Sequence, residues 1–274
     1  MFYQSPEGDY WRTYLFIEGG RTYNRVEDIR HVYSASKAFG KFQQMMSNLP
    51  GERLHETIPD FHNTRKRFET FLDAVKRDAV ERARSAQEEI DFVLQRENET
   101  PVIVDALAKG ILPERVTHND TKLNNVLIDR RTGEAFCVID LDTVMPGSAL
   151  YDFGDSVRIG ACTAVEDEHN LEKVHFDLTL FDQLVHGYLD AARSFLNSWE
   201  VEHLAFSARI ITLEQAIRFL TDHLNGDIYY KTSHPNHNLD RCRTQIKMLA
   251  EMEQKKDVME AIVHQYQDDS TERA

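Results

Sequence analysis

No run of eighteen apolar residues occurs in this chain of 274 residues, so no membrane-spanning helix is expected. Cysteine is scarce. Cys137, Cys162 and Cys242 are odd in number and far apart, which excludes a disulfide framework and a paired-cysteine zinc motif and suits a reducing, cytoplasmic setting. The opening residues Met1-Phe2-Tyr3-Gln4-Ser5-Pro6 carry neither a basic region nor an apolar stretch, so no signal peptide is visible. Positive charge is also short. Lys and Arg number 32 against 46 Asp and Glu, a formal net charge of −14. That is the wrong sign for a general nucleic-acid binder. An anionic cofactor would have to be met by local cations and metal, against the field of the whole molecule. What the chain does have is 41% hydrophobic residues, enough for a substantial core in one large or two ordinary domains.

Residues 2–17 read as a hairpin, with Ser5-Pro6-Glu7-Gly8-Asp9 as its turn and residues 10–17 rich in strand formers. Glu18-Gly19-Gly20 breaks it. The period then becomes helical. Residues 26–49, 64–96 and 101–112 are predicted helices, as are 171–196, 201–224 and 239–264 further on. The end of the chain, 268–274, is polar and is expected to fray. Strands are expected only at the start and around residues 126–139. The fold class is therefore α+β and mostly helical, with a hairpin-borne loop between helical blocks.

That loop is His118-Asn119-Asp120-Thr121-Lys122-Leu123-Asn124-Asn125. The apolar strand Val126-Leu127-Ile128 follows. Asp129-Arg130-Arg131-Thr132-Gly133 makes a turn, and the returning strand runs to Ile139 before Asp140-Leu141-Asp142. This is equipment for holding a hydroxyl, a magnesium ion and a phosphoryl group in line. Asp120 is the candidate base: a carboxylate within reach of an alcohol orients it and takes its proton, an effect of about 10²–10⁴ in rate. Asn125, five residues on, can coordinate magnesium without adding charge. Asp140 is the main metal candidate, because a bare carboxylate at the end of an apolar strand is costly unless paired or metal-bound. Asp142 shares its side if the chain stays extended, and either assists with metal or substrate or bonds nearby backbone. Lys122 could neutralise a transferred phosphoryl group. His118 is expected to be structural, bonded to backbone near Asp140. Tyr151-Asp152-Phe153-Gly154-Asp155 spells the kinase metal-binding triplet, but it stands a loop further on. Asp152 is expected to cap the next helix or brace the loop.

At these residues the chain resembles the aminoglycoside phosphotransferase and choline kinase superfamily, relatives of protein kinases. The closer resemblance is to its N-acetylhexosamine 1-kinase branch. It is carried by 118–125, by Val138-Ile139-Asp140-Leu141-Asp142-Thr143-Val144-Met145-Pro146-Gly147, by 151–155, and by 219–232, Phe219-Leu220-Thr221-Asp222-His223-Leu224-Asn225-Gly226-Asp227-Ile228-Tyr229-Tyr230-Lys231-Thr232. The resemblance implies ATP- and Mg²⁺-dependent phosphorylation of the anomeric hydroxyl of an N-acetylhexosamine. It implies that Asp120 and Asp140 hold the sugar together with Arg218 and Tyr229. The residues alone also allow an Arg218–Asp222 pair on one helix face and core packing for Tyr229.

The resemblance also implies a small lobe with a phosphate-covering glycine-rich loop and a strand lysine. No glycine-rich loop precedes Tyr10 and no lysine precedes Lys37. Residues 1–20 then correspond to the last small-lobe hairpin and the hinge, with Phe16, Ile17 and Glu18 on the adenine side. Residues 21–266 form a helical large lobe and 267–274 a tail. A chain so built is expected to be weakly active or inactive, through truncation or because the upstream part is encoded elsewhere. Two other readings stay open: an aminoglycoside, choline or homoserine kinase of the same superfamily, and a catalytically inactive sugar-binding remnant. The sequence says nothing of oligomeric state, and the unpaired edge of the first hairpin is a liability for association.

Overall fold

The computed structural model describes residues 2–268. The expected tail falls, from 269 onward, outside the described residues. In chain order the elements are β1 (Tyr3–Gln4), β2 (Tyr10–Trp11), β3 (Gly20–Arg21), α1 (Ile29–Met46), α2 (Thr64–Arg77), α3 (Gln87–Leu94) and α4 (Val102–Ala108). Then come β4 (Arg115–Thr117), β5 (Val126–Asp129), β6 (Ala135–Val138), β7 (Met145–Gly147) and α5 (Ala149–Gly160). The chain continues through α6 (Leu178–Ala192), α7 (Ser198–Glu202), α8 (Leu204–Leu224), α9 (His237–Gln254) and α10 (Lys256–Asp268). It is an α+β fold, mostly helical.

Helix α8 is the axis. It is buried on nearly every side and packs against α2, α5 and α9, so it carries Thr212, Glu214, Asp222 and His223 inside the protein as well as its aliphatic residues. A helix buried all round must satisfy its polar groups internally. The second large contact is α1 against α6. There Gly187 sits so close to α1 that a Cβ on it would lie 2.2 Å from the Tyr33 carbonyl oxygen. Only glycine permits that approach.

The hairpin after residue 125 is built as expected. β5 pairs antiparallel with β6, and β3 joins β5 on the other side. Gly20, expected only to break the first hairpin, starts β3. The sheet lies on α1 over a small core of Tyr23, Ala35, Phe39, Val126 and Ile128. Ser34 Oγ accepts from the Ala135 N–H at 2.7 Å and ties hairpin to helix. A separate two-stranded ladder joins β4 to β7, Thr117 opposite Met145.

Several expected elements are shorter or broken. The first hairpin pairs only Tyr3–Gln4 with Tyr10–Trp11, and the strand-forming residues 12–17 pair with nothing in a sheet. Tyr14, Leu15 and Phe16 stand exposed, which is why β propensity alone did not hold them in a strand. The long helix 64–96 is interrupted. Asp78 turns left-handed (φ 39°) to close α2, and its carboxylate accepts from the Arg82 and Ala83 N–H groups at 2.8 and 2.9 Å. Two further predicted helices are each divided by one residue, 201–224 at His203 and 239–264 at Lys255. Helix 171–196 begins only at Leu178, where Asp177 caps two N–H groups. Helix α1 starts at Ile29 behind its Asp28 cap, and α4 is confined to Val102–Ala108.

Candidate active site

Two loops leave the two ladders side by side. The first runs from the end of β4 to the start of β5 and carries His118 to Asn125. The second runs from β6 to β7 and carries Asp140 to Thr143. Because β5 pairs with β6 and β4 with β7, both ends of both loops are tied to one another. Hydrogen bonds complete the lashing. The Ile139 N–H donates to the Asn125 carbonyl at 2.9 Å, Asn119 Nδ2 to the Thr143 carbonyl at 2.9 Å, and Thr143 Oγ1 to the His118 carbonyl at 2.7 Å. His118 Nε2 meets the Ile139 carbonyl at 2.9 Å, so that nitrogen carries the proton. The ring is enclosed edge-on by Phe39 and Phe42, and its Nδ1 is buried without a partner.

Helix α5 supports the first loop from beneath. Asp152 is buried in its first turn. Its Oδ2 accepts from the His118 N–H at 2.9 Å and from Gln43 Nε2 at 2.6 Å, and its Oδ1 from the Asn119 N–H at 2.7 Å. Ser148, not Asp152, caps the helix. Burial pushes the Asp152 carboxyl above the ordinary range, while the donors from His118, Asn119 and Gln43 pull the other way. Three residues on, Asp155 accepts from the Thr121 N–H at 3.0 Å. Burial pushes this carboxyl up as well, but Arg158 at 2.9 Å outweighs it and the group is held below its usual value. The Asp-Phe-Gly-Asp segment thus contacts loop backbone with both acids.

On this frame Asp120 and Lys122 are partly exposed, whereas Asn125 is buried. Lys122 Nζ lies 2.7 Å from Asp120 Oδ1, so the ammonium sits on the candidate base. Asn125 Nδ2 donates to the Asp120 carbonyl at 2.9 Å and to its Oδ2 at 3.1 Å. Among the described residues, no donor reaches the other end of the carboxamide, Oδ1. Asp140 has a left-handed backbone (φ 62°) and begins a short 3₁₀ turn. Asn119 is left-handed too (φ 64°). Such conformations cost about 1–3 kcal/mol each and gather at functional sites.

Two expectations about the acids need correction. Asp140 is exposed, so its carboxylate is not stranded in apolar surroundings; among the described residues no hydrogen bond or ion pair engages it. The chain also does not stay extended. The turn at Asp140 separates Asp142 from it, and Asp142 is an exposed acid paired with Arg12 of the first segment. Phe16, Ile17 and Glu18 lie exposed in the same opening segment.

Arg218 and Tyr229 come together, but not around Asp120. Both line a cavity of about 220 Å³ with Arg67 and Tyr230, and its lining includes none of Asp120, Asn125 and Asp140. Arg218 lies over the Phe61 ring at 5.0 Å, and Phe61 lines a second cavity of about 280 Å³ that reaches Asn119. Arg218 does not pair with Asp222. That acid is buried and accepts from the N–H groups of Ile228, Tyr229 and Tyr230 at 3.0, 2.8 and 3.0 Å, which shapes the turn carrying Tyr229. Tyr229 itself is exposed rather than packed in the core.

Between the cavities lies a buried trio that sequence reasoning missed. His62 Nδ1 is 2.8 Å from Glu214, and Thr64 Oγ1 donates to the same carboxylate at 2.6 Å. Burial pushes Glu214 up, but His62, Arg218 and Thr64 bring it below its ordinary value. Arg67 was also missed. Among the described residues its guanidinium bonds only the Phe61 carbonyl, and burial, reinforced by the neighbouring Arg218, lowers its pKa. The partners in these clusters are some 150 residues apart, so no local spacing could reveal them.

Asp120, Asn125 and Asp140 are thus carried on two loops bonded to each other. Residues 2–194 match the model of the phosphotransferase enzyme family, and the chain belongs to that family. Among solved structures, one supports the fold and two more are weakly similar. Plasmodium vivax ethanolamine kinase is similar over 84% of this chain and 63% of its own, at 13% identity and a TM-score of 0.51. A choline/ethanolamine kinase family protein from Mesorhizobium loti is matched at 16% identity over 95% of this chain and 76% of that one, TM-score 0.49. A microcompartment-associated aminopropanol kinase is matched at 14% identity over 89% and 68%, TM-score 0.46.

Proposed function

We propose that this phosphotransferase is a small-molecule kinase that moves the γ-phosphoryl group of Mg-ATP to an alcohol, and that the alcohol is the anomeric hydroxyl of an N-acetylhexosamine. One observation carries the proposal: the loops holding Asp120–Asn125 and Asp140 are bonded to each other at both ends. Asp120 orients the acceptor hydroxyl and takes its proton. Lys122, held on Asp120 before substrate arrives, follows the negative charge to the transferred group. The free Asn125 Oδ1 and the unengaged Asp140 carboxylate are hard oxygen donors of the kind magnesium takes. The ion would screen the charge that develops on the phosphates. Asp142 joins them only on leaving Arg12. The exposed apolar face of Phe16, beside Ile17 and Glu18, suits an adenine.

The acceptor side favours a neutral, oxygen-rich molecule. Arg67 and Arg218 face the 220 Å³ cavity, and neither has a carboxylate in ion-pair reach among the described residues. Two guanidiniums with no ion-paired carboxylate, screened only at longer range by the buried Glu214, repel a cationic head group and attract carbonyl and hydroxyl oxygens. Asp222, the acid of that cavity, is already committed to backbone N–H groups. This weighs against an amino-alcohol acceptor such as the named relatives' choline, ethanolamine or aminopropanol. Among the described residues no glycine-rich loop or strand lysine covers the phosphate side. We therefore expect turnover below the usual kinase range of about 1–100 s⁻¹. The experiment is an acceptor panel with Mg-ATP, read as phosphorylated product by mass spectrometry. N-acetylglucosamine or an epimer should be converted in preference to choline and ethanolamine. Preferential conversion of a cationic acceptor would overturn the sugar assignment.

A further inference from the structure

Away from the catalytic loops, His169, His234 and Asp240 each bring one ligand atom within 4.8 Å of the others. They come from three places in the fold: the connection between α5 and α6, the turn after α8, and the first turn of α9. Asp240 Oδ2 stands 3.1 Å from His169 Nδ1 and 3.9 Å from His234 Nδ1. The two imidazole rings are 5.0 Å apart.

A third histidine props the arrangement. His237 stacks on His234 at 4.5 Å, but both its nitrogens are taken. Its Nδ1 accepts from the Ser233 N–H at 3.0 Å, and its Nε2 faces Asp167 at 3.0 Å. The His234 ring is fixed a second time by the Pro235 carbonyl, 2.9 Å from Nδ1. That is also the nitrogen nearest Asp240, so His234 would take an ion either on Nδ1 after releasing the Pro235 carbonyl or on Nε2 after the ring turns.

We propose that His169, His234 and Asp240 form a binding site for a late first-row divalent cation, with zinc as the best fit. Two imidazoles and one carboxylate are a zinc donor set, whereas magnesium favours oxygen ligands and retains its waters. His169 and Asp240 line a cleft of about 520 Å³, from which water would supply the remaining ligand. The site is independent of the kinase assignment. Its consequence is mechanical. An ion there ties the α5–α6 connection to the turn that carries Tyr229 and Tyr230, and so stiffens one wall of the 220 Å³ cavity.

The test uses the full chain stripped with a chelator. Zn²⁺ alone is titrated by calorimetry and by thermal unfolding, and Co²⁺ serves as the spectroscopic probe. One zinc should bind per chain. At about a hundredfold excess over Kd it should raise Tm by roughly 5 °C. Cobalt should show the intense visible bands of a four-coordinate ion, and excess Mg²⁺ should not displace it. His169→Ala and His234→Ala should abolish both effects, while His55→Ala, an exposed histidine elsewhere, should keep them. His169 is largely exposed, so its variant tests the site without disturbing the core. The proposal is overturned if the two variants bind zinc as the parent does, or if cobalt gives only the weak bands of a six-coordinate hydrated ion.

Discussion

Replacing Asp152 by alanine should loosen the 118–125 loop without altering Asp120, Asn125 or Asp140 themselves. The carboxylate accepts three hydrogen bonds, from Gln43 Nε2 and from the N–H groups of His118 and Asn119. All four residues are buried. Each buried donor left without an acceptor costs about 1–3 kcal/mol. Against that stands the relief of a buried charge that solvent cannot reach. The net expectation is a loss of about 3–5 kcal/mol, which in a chain of this size lowers Tm by roughly 10 °C. Asp152→Asn keeps one accepting oxygen and should lose about 2 kcal/mol. Asp142→Ala, on the exposed surface, should lose under about 0.5 kcal/mol. Urea unfolding gives the energies. Hydrogen exchange gives the location: amides of His118 and Asn119 should lose protection in both Asp152 variants. A cost below about 1 kcal/mol for Asp152→Ala, or unchanged exchange at those amides, would refute the claim that α5 holds the loop.

Other expectations follow from single contacts. Gly187→Ala would drive a Cβ into the Tyr33 carbonyl, so α1 and α6 must separate; calorimetry should find a loss of at least about 1–3 kcal/mol. Burial pushes the Glu251 carboxyl up, but Lys247, the Phe176 N–H, His175 and Lys255 hold it down at about 2. A lowered carboxyl stabilises the fold above its unfolded value and loses that contribution as pH falls through the folded one. About 3 kcal/mol should therefore vanish between roughly pH 4.5 and 2, and Glu251→Gln should flatten that part of the stability profile measured by urea unfolding. If the 220 Å³ cavity takes the acceptor, as proposed, Arg218→Ala should raise KM for the acceptor about tenfold or more with little change in kcat, because Arg218 lines that cavity and Asp120 does not. A fall in kcat alone would contradict that placement.

The hairpin and the two loops at its open end were legible because their signals are local. A turn of Asp129 to Gly133 between two apolar runs dictates a hairpin, and the polar residues before and after it can go only to its open end. The Asp78 break was not legible. The apolar period resumes almost in phase after it, so residues 64–96 read as one helix. Lys76 and Arg77 in the last turn were the available hint of an end. Asp140 misled in a different way. An apolar strand before it suggested burial, but a left-handed backbone at that residue carries the carboxylate out to solvent. The His62–Glu214–Thr64 trio and the Asp222 turn depend on which helices pack together, and that is decided by the whole core. Arg67 could have been noticed as a basic residue beside Phe68 on an apolar helix, although nothing in the sequence pairs it with Arg218.

The central claim is that Asp120 acts on an acceptor alcohol at a platform shared with Asn125 and Asp140. The most direct measurement compares phosphorylated-acceptor formation by the parent chain and Asp120→Asn under identical Mg-ATP, with mass-spectrometric detection sensitive to slow turnover. The substitution keeps the side chain's shape, and unfolding stability should stay within about 1 kcal/mol. Product formation should fall about 10²–10⁴-fold. Undiminished product from a folded Asp120→Asn chain would contradict the account.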